Sequence, residues 1–113
     1  MSAPRSSEDH CQAEILKLLG DYVTLRIIDF LRSRELRFTE LQRAIGDVNA
    51  VTLSNRLKRL EASGMIEREE ATIDRQSVAY RLTVRGSGLL PVLREIQNFT
   101  KRRYGKAPGR AGS

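Results

Sequence analysis

Cysteine and histidine occur once each in this chain, tryptophan is absent, and apolar runs are short. One cysteine cannot close an intramolecular disulfide, which fits a reducing compartment. His10 beside Cys11 lacks the further partners that a metal site or a catalytic pair needs. No glycine loop cradles a phosphate: Gly86 and Gly88 stand alone, without the surrounding pattern. No enzyme, cofactor or metal is therefore expected. No stretch approaches the roughly 18 apolar residues of a membrane span. The N-terminus, MSAPRSSEDHCQAE, has no hydrophobic signal core, so the expected place is the cytoplasm, away from membranes.

The 113 residues suffice for one domain with one modest core, and 40% hydrophobic with 30% charged residues is ordinary globular composition. The formal charge of +6 is unevenly placed. Lys101, Arg102, Arg103, Lys106 and Arg110 sit in a tail without acids, so the rest of the chain is nearly neutral. Bulk charge then says little about nucleic acid, and local pattern must carry the argument.

Residues 1–7 are small and polar and are expected to be disordered, residues 8–104 to form the domain, and residues 105–113 a flexible basic tail. A first helix spans Glu8–Leu19 and stops at Gly20. Asp21 caps a second from Tyr22 to about Ser33, with Val23, Ile27, Phe30 and Leu31 at helical spacing. Glu35-Leu36-Arg37-Phe38 reads as a short strand. Thr39 and Gln42 have capping-box spacing and open a third helix, which Gly46 ends in a left-handed conformation. Asn49 caps a fourth helix that runs to Ser63. Met65–Ala71 and Ser77–Leu82 read as antiparallel strands joined by 72–76. Thr83 caps a last helix to about Tyr104, with a kink or break near Pro91. The fold class is mainly α with a small antiparallel hairpin.

At about 100° per residue, Leu53, Leu57 and Leu60 share the core face of the fourth helix. Val51, Thr52, Asn55, Lys58 and Arg59 lie opposite, with Ser54 and Arg56 on the flanks. An amide, hydroxyls and cations suit base edges and phosphates, and a valine can meet a thymine methyl. A solvated helix face is the plain alternative. The short helix before, the turn and the hairpin after make a helix-turn-helix with a wing, which favours double-stranded DNA. Arg37, Thr39, Asn49 and Ala50 complete the candidate contacts on the helices. Arg75 and Gln76 at the wing tip could reach a groove or a phosphate, or touch nothing. Glu67, Glu69 and Glu70 are expected to face away from DNA.

Cys11, LLGDYVTLRIIDFL, RFTELQRAIGDVNAVTLSNRLKRLEASGMIER and VAYRLTVRGSGLLPVL together resemble the HxlR-type winged-helix regulators, which are allied to MarR. The likeness spans about residues 11–100. It implies a homodimeric transcription regulator on an inverted-repeat operator, associated with the nucleoid. It also implies a dimer interface from the first and last helices: Cys11, Ile15, Leu18 and Leu19, with Leu89, Leu90, Leu93, Ile96 and Phe99. Three positions depart from the pattern. Tyr22 replaces a common tryptophan, Asp74-Arg75-Gln76-Ser77 replaces prolines, and Val51 replaces a basic residue.

Cys11 aligns with a cysteine that senses oxidants in several members of the family. Glu8, Asp9 and Glu14 oppose a reactive thiolate, which weighs toward a packing role at the dimer interface. The sequence names no effector. Two other functions remain open: a winged-helix protein-interaction module without DNA binding, and a nonspecific nucleic-acid binder that uses the basic tail.

Overall fold

Gly20 and Asp21 separate the first two helices. The computed structural model describes residues 7–70 and 78–104, with side-chain surroundings for 12–70 and 78–102. Helix α1 covers Ser7–Leu19, one residue earlier than the expected start, and α2 covers Tyr22–Leu31. Asp21 caps α2 as its short acidic side chain predicts: its Oδ2 accepts from the Thr24 backbone N–H at 2.8 Å. Leu36–Arg37 form strand β1, followed at once by α3 (Phe38–Ile45). Helix α4 (Ala50–Ala62), strand β2 (Ile66–Glu69) and strand β3 (Ala79–Leu82) come next. The last described elements are α5 (Val84–Ser87) and α6 (Leu90–Tyr104).

Helix α2 is the hub. Thr24, Ile27, Ile28 and Leu31 are all buried, and α1, α3, α4, α6 and β3 pack around them. Leu41 from α3 and Leu53, Leu57 and Leu60 from α4 fill the same core with at most 1% exposure. Each such leucine contributes on the order of 2 kcal/mol of transfer free energy. The angular reading of α4 therefore holds. The sheet is antiparallel in the order β1-β3-β2, with Leu36 opposite Tyr80 and Ile66 opposite Leu82. The expected hairpin is present and gains β1 as a third strand.

Most boundaries shift by one or two residues from the sequence reading, and two differences have a distinct local cause. Helix α3 begins at Phe38 rather than Thr39, because Glu40 Oε1 reaches back to the Arg37 N–H at 2.8 Å and closes the first turn from there. The last helix is two helices, with the break expected near Pro91 falling just before it. Thr83 caps only α5, accepting from the Gly86 N–H at 3.0 Å, and the chain breaks at Gly88 and Leu89. Pro91 then lies in the first turn of α6, where its missing N–H costs no helical bond.

Candidate nucleic-acid interface

Three short-range bonds build the turn between α3 and α4. The Gly46 N–H donates to the Gln42 carbonyl at 3.1 Å and the Val48 N–H to the Gly46 carbonyl at 2.6 Å. Gln42 Nε2 donates to the Val48 carbonyl at 3.2 Å. Gly46 has a φ of +103° as a turn glycine should, but its ψ of −134° is extended rather than left-handed helical. Asn49 then caps α4, its Oδ1 accepting from Val51 N at 2.8 Å and Thr52 N at 3.2 Å. The C-terminal end is closed by Gly64 (φ +77°), with Met65 N–H donating to the Leu60 carbonyl at 2.9 Å. Arg85 Nε adds a bond to the Ser63 carbonyl at 3.1 Å, placing a cation at the negative end of the helix dipole.

On α4 outside the leucine face, Ala50, Val51, Asn55, Lys58 and Arg59 are exposed and Thr52 and Ser54 half-buried. Val51, at 68% exposure, has no core role. Among the described residues Lys58 and Arg59 form no ion pair. Arg37 and Thr39 are exposed at the start of α3, on the element that precedes this surface. Arg75 and Gln76 lie outside the described residues.

Arg56 is the exception on α4. It is half-buried, and its Nε donates to Asp21 Oδ2 at 2.9 Å. Burial alone pushes the Asp21 carboxyl up, but the bonds from Arg56 and Thr24 outweigh it and hold it below the ordinary aspartate value of 3.8. A flank position read as a DNA contact is thus tied to a carboxylate 35 residues away. No local pattern could announce that pairing.

The described acids of the wing strands are paired with arginines of the same strands. Arg81 is paired across the strands with Glu67 at 2.8 Å and with Glu69 at 2.7 Å, and Arg68 meets Glu70 at 2.7 Å. Glu67 and Arg81 are direct cross-strand partners, which places the two on one face of the hairpin.

The positions expected at a dimer contact divide. Leu18, Leu89 and Leu93 are buried in the core of the chain itself, at 4%, 9% and 8% exposure. Ile15, Leu19 and Leu90 are half-buried against that core. Ile96 and Phe99 are exposed, as are Leu16 and Val92, which the sequence reading had not singled out. Cys11 lies within α1, and its side chain is outside the described surroundings. Among the described residues no group of three or more His, Cys, Asp and Glu could hold a metal ion. No described helix is long and apolar enough to cross a membrane.

Residues 18–107 match the family described as HxlR-like helix-turn-helix. An uncharacterised HTH-type transcriptional regulator of Halalkalibacterium halodurans is 40% identical over 82 residues, covering 72% of this chain and 73% of the relative. Among solved structures, the reduced form of the transcriptional regulator YodB from Bacillus subtilis aligns with a TM-score of 0.73 and 28% identity, covering 96% of this chain and all of that one. A regulator from Porphyromonas gingivalis assigned to the MarR family aligns with a TM-score of 0.74 and 30% identity, covering 87% and 96% of the two chains.

Proposed function

The chain belongs to the HxlR-like helix-turn-helix family, whose members are DNA-binding transcription regulators and not enzymes, and from that membership we propose that it acts in the cytoplasm, on the nucleoid, as a sequence-specific homodimer at an inverted-repeat operator. The outer face of α4 carries the reading. Val51, Thr52 and Asn55 near its N-terminal end offer base contacts, and Lys58 and Arg59 offer phosphate contacts. Ala50, Ser54 and the α3 residues Arg37 and Thr39 would flank the groove, with Arg75 and Gln76 extending contact at the wing.

The dimer part rests on Leu16, Val92, Ile96 and Phe99, exposed apolar side chains on the two terminal helices. A two-fold pair of such protomers presents two reading helices to two half-sites of opposite sense. Selection of genomic fragments bound by the purified protein, followed by sequencing, tests this. Half-sites in inverted repeat, about 10 base pairs apart centre to centre or a multiple of that, are expected. Fragments with no common sequence, held only while residues 101–113 are present, would instead indicate a nonspecific binder working through its tail.

A further inference from the structure

Asp21 Oδ2 receives three bonds at one point: the Thr24 N–H at 2.8 Å, the Thr24 hydroxyl at 2.8 Å and Arg56 Nε at 2.9 Å. Thr24 is 1% exposed, and the side chains of Arg56 and Asp21 are 28% and 24% exposed. The cluster is therefore a partly desolvated, directional link between the start of α2 and the middle of α4. The two helices also pack on each other through a shared apolar core, to which α2 supplies Ile27 and Ile28 and α4 supplies Leu53, Leu57 and Leu60. Apolar contacts of that kind resist separation but are non-directional, and they tolerate a small roll or slide. A charge-assisted bond has a fixed length and angle, and pairs of this kind are best attested as devices that set register.

We infer that Asp21 is a positioning residue for DNA reading: through Arg56 it fixes the rotation of α4, and so the direction in which Thr52 and Asn55 point. Arg56 follows Asn55 directly and lies one helical turn beyond Thr52, so a roll that breaks the Asp21 bond turns both reading side chains away from their base edges. Arg56 serves here as a strut rather than as a free phosphate ligand. This rests on the reading of α4 as the DNA-reading helix.

The test exploits a sign. Asp21 is an acid, so removing it should strengthen binding to any DNA if it acts only as a charge. Asp21→Ser keeps a capping oxygen for the Thr24 N–H but is too short to reach Arg56. Arg56→Gln approaches the strut from the other end and leaves the α2 cap untouched. Fluorescence anisotropy with a selected operator duplex and with an unrelated duplex, on full-length folded protein, reads the ratio of the two affinities. The expected result is a fall in that ratio of about five- to tenfold in both variants. For Asp21→Ser, affinity for the unrelated duplex should stay equal or rise. Loss of stability alone would not move the ratio in folded protein. Amide hydrogen exchange on the free protein reads the strut without DNA: α4 should exchange faster in both variants while α2 keeps its protection in Arg56→Gln. An unchanged ratio, an equal gain on both duplexes in Asp21→Ser, or unchanged α4 exchange overturns the inference. Wild-type protein that distinguishes no duplex would overturn the DNA reading instead, and the exchange measurement would still decide the strut.

Discussion

Gly86 and Met65 meet backbone to backbone: a Cβ placed on Gly86 would overlap the Met65 carbonyl oxygen. That oxygen already accepts the Thr83 N–H at 3.1 Å, which fastens the end of β3 to the start of β2. The carbonyl is part of the main chain, so no side-chain rotation can relieve the overlap. This is the physical content of the glycine in the YRLT-x-x-G segment.

Gly86→Ala should therefore cost on the order of 2–3 kcal/mol, as overpacking against a fixed group does. For a domain of this size the thermal midpoint should fall by about 8 °C or more. Gly88→Ala is the control. Its Cβ would lie 3.2 Å from the Arg85 carbonyl oxygen, a tight contact that a shift of a few tenths of an ångström relieves, and its backbone is right-handed helical, so a smaller effect than at Gly86 is expected. Thermal melts followed by circular dichroism check both.

The stability contributed by Asp21 should depend on pH with a definite sign. Its folded-state value is depressed, so its contribution is full above the ordinary value of 3.8 and drains away as pH falls through the lowered one. The difference in unfolding free energy between wild type and Asp21→Ser should be constant from about pH 7 to pH 5 and shrink below pH 3.8. Denaturant titrations across that range measure it. A difference that persists undiminished at pH 2 would mean that the ionised carboxylate is not what holds the pair.

Assembly is best probed at Ile96 and Phe99. Leu93 is buried in the core of the single chain, so a charge there would destabilise the fold and say nothing about dimers. Ile96 and Phe99 are exposed at 47% and 57%, and Ile96→Asp or Phe99→Asp should leave the monomer fold intact. A carboxylate forced into a dry interface costs on the order of 2 kcal/mol or more. Light scattering should show dimers for wild type and monomers for the variants at micromolar concentration. Wild-type monomers would end the dimer reading.

Cys11 should be a poor sensor. Glu8, Asp9 and Glu14 stand near it in sequence, and nearby carboxylates favour the thiol over the reactive thiolate. Cys11→Ser should leave DNA affinity nearly unchanged, and mild peroxide or a quinone should not release DNA from wild type. Gel shifts on both proteins with and without oxidant check this. An oxidant response confined to wild type would make Cys11 the sensor.

Much of the fold was legible because its signals are local. Asp21, Asn49 and Thr83 cap helices within three residues of themselves, and Leu53, Leu57 and Leu60 announce a face by spacing alone. What spacing cannot say is which surface covers a stripe. Leu18, Leu89 and Leu93 read as apolar stripes on terminal helices, yet α2 and its neighbours cover them within the chain. The start of α3 was misplaced because Thr39 and Gln42 have the right residue types, while the observed closure uses Glu40 and the Arg37 N–H. The Asp21–Arg56 pair was invisible because only the packing of α2 on α4 brings those residues together.

The central claim is that α4 reads DNA, and one titration tests it most directly. Fluorescence anisotropy with a selected operator duplex would compare wild type with Asn55→Ala/Arg59→Ala, both exposed positions whose loss leaves the leucine face intact. The account predicts a fall in operator affinity of about tenfold or more, with Arg59 weakening all sequences alike and Asn55 relaxing preference at one position. A folded double variant that binds the operator with unchanged affinity would contradict it.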